Sequence, residues 1–561
     1  MELGRSLGVS PFLAQLLISR GIASPDSGRR FLQPELEHLH DPMLLPDAGL
    51  AVDRIVRAVQ EGERILIHGD YDVDGCCAAA LMTRVLKVLK GNVEAFVPHR
   101  QEEGYDLQPG TVRRAAAEGV RLIVTVDCGT VAFEAAEAAR EVGIDLIITD
   151  HHEPSPCGNL PKALAVVNPK RPGSQYPFHE LCGTGVAFKL CTALVDRAGI
   201  TSKKFRTAFL DLVALATCAD CMPLVDENRV FVSHGLRTLR ATSKIGLKAL
   251  MRVANVGPDD VNTRCLGFTL GPRINAIGRM DAARHALQLL LATDEAEAKS
   301  LAEKLDLANT ERQMEQEKIL QEAIRQTEHF LEDRILVLDS PKWHPGIIGI
   351  VASKIVESLC RPTVMISVDE ENGRGRGSCR SIEGFHIFEA LHACREHLGR
   401  CGGHQAAAGF DIDVERISAL REALQQYAST ELPEELLQPS VRADGELPPG
   451  AIGLRLADEL LQLEPFGHGN PEPVFLTRDL TVVEQNRLTN RNGGGVDHMK
   501  LRVLTSAPRR GLDVLFWRAW PRAEECPLQS RIDACYTLEI NRYNDRLSLQ
   551  LNLRDFRPCA G

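Results

Sequence analysis

Acidic and histidine residues recur in four short segments, each at the end of an apolar run. HGDYDVDG (68–75) follows RILI, Asp127 follows LIVTV, DHH (150–152) follows LIIT, and Asp220 ends the run before CMPL. Ligands of open α/β sheets collect at the carboxyl ends of the strands, so these side chains should converge on one crevice. Carboxylates that share a crevice repel one another unless a cation is present. Mixed aspartate and histidine ligands favour Mn²⁺, or Mg²⁺ with more water retained, so the spacing predicts a divalent-metal centre.

Two other interpretations of these segments are weaker. DYDVDG (70–75) begins like a calcium-binding loop, but the twelfth position is Leu81 instead of Glu, and a strand comes before it. Cys218 and Cys221 flank Asp220 and could bind zinc or do redox chemistry, but no second cysteine pair lies at ligand spacing. An aspartate after a single strand is usually a helix cap, whereas three successive strand ends with acids argue against coincidence.

The elements that would position these residues alternate along the first half of the chain. Short apolar runs lie at 64–68, 93–97, 122–126 and 146–149, with Ala-rich helical stretches between several of them. This alternation predicts a mostly parallel sheet with helices on both faces. Residues 282–330 contain neither Gly nor Pro and keep helical periodicity, which predicts one or two long helices between two lobes. A second α/β region follows, from 334 to about 430.

The last part of the chain has the period-2 alternation of β-strands. It is seen in MKLRVLT, LDVLFWRAW and ACYTLEINRYNDRLSLQLNL, which favours a small β-barrel of the oligonucleotide-binding (OB) type. Residues 487–557 hold 13 Lys and Arg against 8 Asp and Glu, although the whole chain carries a net charge of −11. A basic barrel on an acidic chain indicates a nucleic-acid partner. Four aromatic residues could stack on bases or fill the barrel core: Phe516, Trp517, Tyr536 and Tyr543.

Length and composition indicate a multidomain globular protein. The chain has 561 residues, of which 44% are hydrophobic and 25% charged, and this excludes a disordered protein. No apolar run is long enough to span a bilayer, and the 16 cysteines are scattered, so we expect a reducing, cytoplasmic setting. The predicted domains are a helical lead-in (1–48), a catalytic domain (49–281), connecting helices (282–330), a second α/β domain (331–432) and an OB domain (433–561).

The four acidic segments resemble the motifs of the DHH phosphoesterase family, and the rest of the chain resembles its bacterial RecJ-type branch. The resemblance runs from about residue 50 onward, in order. It is carried by VPHRQEEGYDL (97–107), LGPRINAIGRM (270–280), WHPGIIGIVASKIVE (343–357), GSCRSIEGFHIFEAL (377–391), GGHQAAAGF (402–410) and PFGHGNPEPVF (465–475).

The resemblance implies a fold and a reaction. The fold would be a parallel-sheet DHH lobe joined by a long helix to a smaller DHH-associated lobe, followed by the OB barrel. The reaction would be 5′→3′ degradation of single-stranded DNA to 5′-mononucleotides, with two Mn²⁺ or Mg²⁺ ions, in DNA repair and recombination. The substrate would be single-stranded DNA with a 5′ end. A single-strand-binding protein and a helicase would be fitting partners for a monomeric enzyme that has no membrane association.

The resemblance also assigns roles to individual residues. His68 and Asp72 would hold one metal, Asp74, His151 and Asp220 the other, and Asp127 would bridge them. The remaining roles fall to supporting acids (Asp70, Asp150), to residues near the scissile phosphate (His152, His404), to a pocket for the DNA 5′ end (Arg100, Ser378, Arg380) and to the strand's path (Arg273, Asn275, Arg279).

The chain departs from the family pattern at a few positions, and two other functions remain open. Asp106 stands where a glycine is usual, Cys379 stands where a smaller or neutral residue is common, and cysteines flank Asp220. One alternative is a DHH enzyme that acts on very short RNAs or cyclic dinucleotides, which the terminal barrel disfavours. The other is a DNA-binding scaffold that has lost its metals, which the presence of all six proposed ligands disfavours.

Overall fold

The computed structural model describes residues 2–98, 106–200, 203–275, 282–489, 497–505, 510–543 and 546–559. The chain divides into two compact units. The first contains residues 1–275, 283–303 and 441–561, and the second contains residues 276–282 and 304–440.

A five-stranded parallel sheet forms the centre of the first unit. Its spatial order is β2-β1-β3-β4-β5, with strands β1 (Arg64–Gly69), β2 (Asn92–Phe96), β3 (Val120–Val126), β4 (Asp145–Thr149) and β5 (Ala165–Val167). The central strands are runs of Val, Ile and Leu because helices cover both of their faces. Ile65, Ile67, Val124 and Ile147 are fully buried. The predicted parallel sheet is confirmed.

Helices of the first unit pack around this sheet or precede it. They are α1 (Glu2–Leu7), α2 (Pro11–Ser19), α3 (Pro25–Leu32), α4 (Ala48–Glu61), α5 (Val73–Val88), α6 (Pro109–Ala117), α7 (Phe133–Val142), α8 (Gly183–Arg197), α9 (Lys203–Ala208), α10 (Leu210–Ala219), α11 (Asp226–Arg240), α12 (Ile245–Val253), α13 (Thr263–Cys265), α14 (Gly271–Ile274) and α15 (Ala282–Leu291). A π-helical turn, Leu266–Leu270, separates α13 from α14.

The Gly- and Pro-free segment, for which the sequence predicts one or two helices, forms two. After α15 the chain leaves the helical conformation for three residues, and α16 then extends over Glu295–Thr327. Asp294 accepts a hydrogen bond from the backbone N–H of Glu297, which caps the first turn of α16. None of the helices that the structure describes is long and apolar enough to cross a membrane.

The second unit contains a mixed five-stranded sheet of order β6-β7-β8-β10-β9. Its strands are β6 (Leu336–Ser340), β7 (Thr363–Asp369), β8 (Arg374–Arg380), β9 (Cys401–Gly403) and β10 (Ala407–Asp413). Only β6 and β7 pair in parallel among the described strands of this sheet. Helices α17 (Ile348–Leu359), α18 (Ile387–Ala393) and α19 (Ile417–Glu431) accompany this sheet, and residues from all three lie in its two apolar cores.

The terminal part forms a closed barrel, as the period-2 pattern predicts. Its order is β11-β12-β13-β14-β16-β15, and pairing of β12 with β15 closes it. The strands are β11 (Gly445–Glu446), β12 (Phe475–Leu488), β13 (His498–Leu504), β14 (Gly511–Phe516), β15 (Arg531–Tyr543) and β16 (Arg546–Pro558), and the short helix α20 (Leu454–Leu460) precedes the barrel. Leu13, Leu17 and Phe31 of the N-terminal helices belong to the same apolar core as the barrel strands. The helical lead-in is therefore part of the barrel's packing, although it lies at the other end of the sequence.

Candidate metal centre and DNA-binding residues

Three neighbouring strands of the parallel sheet end at the same level and place the predicted ligands together. In the pairing register, Gly69 of β1 lies opposite Val126 of β3, which lies opposite Thr149 of β4. The residues that follow, Asp70, Asp127 and Asp150, therefore emerge side by side. His68 faces the same end of the sheet, where its Nδ1 lies 3.6 Å from Sγ of the buried Cys128.

The loop after β1 turns directly into helix α5 and contributes two more carboxylates. Asp72 caps this helix, because its side chain accepts a hydrogen bond of 2.9 Å from the backbone N–H of Gly75. Asp74 lies in the first helical turn and is buried. The predicted cap role and the predicted ligand role are thus compatible for Asp72, since one carboxylate can serve both.

Donor atoms of several acidic and histidine residues converge closely enough to hold cations. Three groups of three residues have donor atoms within 4.8 Å of one another, and they overlap: Asp70–Asp72–Asp127, Asp74–His151–Asp220 and Asp127–His151–His152. Nε2 of His151 lies 3.2 Å from Asp127 Oδ1 and 3.6 Å from Asp220 Oδ2. These are the only such groups in the described residues, so Cys218 and Cys221 form no three-residue donor group there.

These carboxylates are buried and repel one another, and nearby positive charge would stabilise their ionised forms. Burial, followed by the charge of Asp74, raises the pKa of Asp127 well above its usual value. Burial and Asp72 raise the pKa of Asp70 to about 7, while burial and Asp74 raise the pKa of Asp220 to about 8. Asp70 Oδ1 and Asp127 Oδ1 are buried and make no hydrogen bond in the described part of the protein. Divalent cations bound here would occupy these lone pairs and offset the repulsion, so the donor set fits metal binding.

The N-terminus of helix α8 is a part of the centre that the sequence analysis missed. The backbone N–H groups of Gly183 and Thr184 donate to the two carboxylate oxygens of Asp74, over 2.6 Å and 2.7 Å. A side-chain carbon on Gly183 would lie 2.5 Å from Cβ and Oδ1 of Asp127. The helix therefore holds Asp74 with its amides and positive dipole end, and it packs closely against Asp127. A Gly-Thr-Gly segment that opens an apolar stretch, GTGVAF (183–188), is the sequence signal that could have revealed it.

Asp150 and His152 form a pair that other side chains hold in place. His152 Nδ1 lies 2.8 Å from Asp150 Oδ1, and the backbone N–H of Thr130 donates to Asp150 Oδ2 over 2.9 Å. Burial alone would lower the pKa of His152, but the hydrogen bond and charge of Asp150 raise it to about 9. Burial alone would raise the pKa of Asp150, but its bonds to His152 and Thr130 hold it below the usual range. The pair is thus an ionised carboxylate and an imidazolium.

Asn168 ties this pair to the sheet, and the sequence analysis missed it as well. It follows strand β5 and is fully buried. Its Nδ2 donates to the backbone oxygen of His152 over 2.9 Å and to Thr130 Oγ1 over 2.8 Å. Asn168 thereby contacts both neighbours of the Asp150 carboxylate.

Asp220 ends helix α10, and the segment that carries Arg273 and Asn275 packs against the same end. A side-chain carbon on Gly271 would lie 3.4 Å from Cβ of Ala219. Arg273 Nη1 donates to the backbone oxygen of Thr269 over 2.7 Å, and Asn275 Oδ1 is buried without a hydrogen bond in the described residues. These two residues of the predicted strand path therefore lie on a segment next to the one that ends in Asp220.

Two of the residues predicted in the second unit, Ser378 and Arg380, contact each other in a small polar cluster. Ser378 and Arg380 lie on β8, where Arg380 Nη1 is 3.3 Å from Ser378 Oγ. A side-chain carbon on Gly349, in the first turn of α17, would lie 2.8 Å from that Oγ. His404 is exposed in the turn between β9 and β10. Cys379 points into the apolar core, away from this cluster.

Arg100 and Arg279 lie outside the described residues.

Asp106, the departure at the glycine position, adopts a left-handed backbone conformation with φ 69°. It is buried, and burial with the charge of Asp150 raises its pKa to about 6.

Of the aromatic residues in the barrel, Tyr536 lies in the core and Trp517 lies at the surface. Tyr536 is fully buried and its hydroxyl lies 2.7 Å from Thr477 Oγ1, so it fills the core and is not a stacking surface. Trp517 is 55% exposed and packs edge-on against His498. Phe516 is half-buried against Phe556, and the side chain of Tyr543 is outside the described residues. Trp517 is therefore the stacking candidate that the structure supports.

Three protein-family models match the chain. The DHH family, N-terminal domain, matches residues 64–217, the DHHA1 domain matches residues 332–430, and the RecJ OB domain matches residues 443–555.

Several similar proteins and solved structures carry the name RecJ. The "Single-stranded-DNA-specific exonuclease RecJ" of Bacillus subtilis (strain 168) is 37% identical over 555 residues, which are 99% of this chain and 69% of that protein. The Escherichia coli (strain K12) protein of the same name is 33% identical over 98% of this chain and 96% of its own length. RecJ from Thermus thermophilus in complex with Mn²⁺ superposes with a TM-score of 0.83 at 32% identity, covering 100% of this chain and 78% of that one. The Mg²⁺ complex gives a TM-score of 0.77 at 30% identity, with 100% and 76% covered.

Proposed function

The chain belongs to the RecJ family of DHH phosphoesterases, and from this premise we propose that it degrades single-stranded DNA from the 5′ end to 5′-mononucleotides, in DNA repair and recombination. Its cofactors are two Mn²⁺ or Mg²⁺ ions, in keeping with the metals bound in the Thermus thermophilus structures. The observation that carries the proposal is the convergence of donor groups that share Asp127 and His151.

The metal ligands in this proposal are those of the sequence prediction. His68 and Asp72 would hold one ion, Asp74, His151 and Asp220 would hold the other, and Asp127 would be shared by both. The position of Asp127 in two of the three donor groups supports its bridging role. The grouping of Asp70 with Asp72 and Asp127 allows Asp70 to be a ligand as well as a supporting acid. When bound, such a pair of ions polarises the scissile phosphate and activates water.

Side chains of the protein orient the substrate and offset negative charge on its phosphate near the metals. The imidazolium of His152, whose pKa of about 9 keeps it protonated at neutral pH, donates to a phosphate oxygen. Asp150 holds that ring in place. His404, Arg273, Asn275 and Arg279 contact the strand near the cleavage point or along its path.

A pocket for the DNA 5′ end completes the proposal. Ser378 and Arg380 lie against the first turn of α17, a helix of 12 residues whose positive dipole end suits an anionic group. Burial lowers the pKa of Arg380, but an arginine stays charged over the physiological range. Arg100, which the family resemblance assigns to the same role, stays a prediction.

Trp517 supplies a stacking surface on the barrel for the strand. The partners we expect are a single-strand-binding protein and a helicase, in the cytoplasm, for a monomeric enzyme. The support for them is the DNA substrate that the relatives' names state.

The polarity and the metals can be tested together. Single strands labelled at the 5′ or the 3′ end are incubated with Mn²⁺, Mg²⁺ or a chelator. We expect label to leave the 5′ end first as mononucleotide, only with metal present. Release of 3′ label first would contradict the proposal, and activity confined to dinucleotides would favour the short-substrate alternative.

The site assignment has its own test. Asp127→Asn should lower activity by more than about 100-fold, because the carboxylate shared by both metals is lost. The control is Asp53→Asn, an exposed aspartate on α4 that pairs with Arg197 at the surface. Unchanged activity of the Asp127 variant would refute the metal centre and favour a non-catalytic scaffold.

A further inference from the structure

One aromatic side chain next to the metal centre is exposed without an evident structural reason. Phe268 lies in the five-residue π-helical turn Leu266–Leu270 and is 80% exposed, more than any other large apolar side chain in the described residues. An exposed ring forfeits the stabilisation that burial would give. Single π-turns inserted in helices are frequent at functional sites, where they direct a side chain outward.

The turn is fixed next to the residue that we assign to a metal. Leu266 and Leu270 are buried and anchor it, whereas Phe268 is on the opposite side. A side-chain carbon on Gly267 would lie 3.5 Å from the backbone oxygen of Cys218, two residues before Asp220. The ring is therefore carried by a rigid turn at the end of α10 that bears Asp220.

A positively charged side chain is hydrogen-bonded to the same turn. The guanidinium of Arg273 donates from Nη1 to the backbone oxygen of Thr269, the residue after Phe268. An aromatic ring and a guanidinium held on one turn supply the two kinds of contact with which single-strand-binding proteins hold a base and its phosphate. Neither group needs to read the base identity, which suits an enzyme that degrades any sequence.

We propose that Phe268 stacks on a nucleobase of the bound single strand close to the metal centre and so helps to fix the scissile phosphate there. This inference rests on the proposed function, since it takes single-stranded DNA as the ligand. It adds a base-contacting residue to a site otherwise described by metals and phosphate contacts.

The test is the Phe268→Ala variant on single strands with one abasic position. The abasic position is moved through the first six nucleotides from the 5′ end, and KM and kcat are measured on each strand. On intact DNA, KM should rise by about fivefold or more, the usual effect of losing one stacked base. Because a missing base leaves nothing to stack on, wild type and variant should become equal at one abasic position and differ at the others.

Controls separate stacking from a structural effect. Phe268→Trp should restore KM, and Leu50→Ala, which removes another exposed apolar side chain, should leave it unchanged. Equal KM and kcat of wild type and Phe268→Ala on intact DNA would overturn the inference. So would a difference that persists at every abasic position, because that result indicates a distorted site. If the wild type fails to degrade single strands, the proposed function fails and this inference fails with it.

Discussion

Asn168 shows how a residue remote from any motif can govern a reactive group. Its amide donates to both His152 and Thr130, which in turn contact the Asp150 carboxylate. We expect Asn168→Ala to lower kcat by about 10- to 100-fold with little change in KM, because outer partners of a site typically have effects of that size. Steady-state kinetics on single-stranded DNA measure this.

Asn168→Asp is the informative companion variant. It keeps the acceptor for the backbone N–H of Lys170 but loses both donated hydrogen bonds. It should be as impaired as Asn168→Ala if the donations matter. Normal kcat in the aspartate variant would show that the side chain only supports the loop.

The raised carboxylate pKa values predict a pH-dependent need for metal. Asp70 and Asp220 have folded-state pKa values of about 7 and about 8, above the unfolded value of about 4. A raised pKa stabilises the metal-free fold at low pH, and this stabilisation is lost as pH rises through the folded pKa. The Tm of metal-free protein should therefore fall between about pH 4 and about pH 8, and Mn²⁺ should raise Tm more at the upper end of this range.

Asp70→Asn provides the check, since it removes one of these titrating groups. Its metal-free Tm should vary less over the same interval. If Mn²⁺ raised the Tm of the wild-type protein equally at the lower and the upper end of this pH range, the expectation would be contradicted.

Single residues were predictable where they repeat a pattern. Asp70, Asp127 and Asp150 each follow an apolar strand, so position alone predicted their convergence. Asn168 and Thr130 carry no such signal, because their roles depend on which loops meet in three dimensions. Tyr536 could have been a core or a stacking residue from sequence, since a barrel strand has one face of each kind.

At the scale of elements, the approach of helix α8 to the metal centre makes a paired glycine test possible. Gly183→Ala should lower activity by at least about tenfold, because its Cβ would collide with Asp127, and overpacking of this kind costs about 1–3 kcal/mol. In the same helix, a Cβ on Gly185 would meet Leu181 at an ordinary 3.5 Å, so Gly185→Ala should be nearly neutral. Activity and Mn²⁺ dependence of both variants are compared. Equal behaviour of the two would contradict a specific role for the helix terminus.

The sequence predicted where an element ends when polar residues, Gly or Pro marked the boundary clearly. The strands after Arg64 and before Asp127 and Asp150 lie close to their predicted positions because apolar runs end at polar residues. The sequence left open whether residues 282–330 form one helix or two, since neither Gly nor Pro marks a break. In the structure the chain breaks before α16, and Asp294 caps that helix. The domain limits proposed from composition stay predictions.

At the scale of the whole molecule, the loop Pro465–Asn470 connects the barrel to the segment after Asp220. The backbone oxygen of His468 accepts a hydrogen bond from the N–H of Leu224 over 2.7 Å, and that of Phe466 accepts one from Thr263 Oγ1 over 2.6 Å. Arg229, stacked on Phe31, donates to the backbone oxygen of Glu464 over 2.7 Å. The barrel and the ligand-bearing segment are thus joined through this loop.

Gly467→Ala should raise the Mn²⁺ concentration needed for half-maximal activity by several-fold. Its Cβ would lie 2.7 Å from Cδ1 of the buried Leu224, four residues after Asp220, so the Leu224 side chain must shift. Gly445→Ala on β11 meets nothing within 4 Å and is the matched control. An unchanged metal requirement in the Gly467 variant would indicate that the loop and the centre are independent.

The order of the proposed metal ligands along the chain has a consequence for how the protein folds. His68, Asp127, His151 and Asp220 come from four distant stretches, and each ion that joins two of them closes a long loop. Closing such a loop lowers the conformational entropy of the unfolded chain. This entropic cost grows only slowly with the length of the loop. Ions taken up early in refolding would thus act as temporary cross-links, and the rate at which the catalytic domain regains structure should depend on the metal concentration.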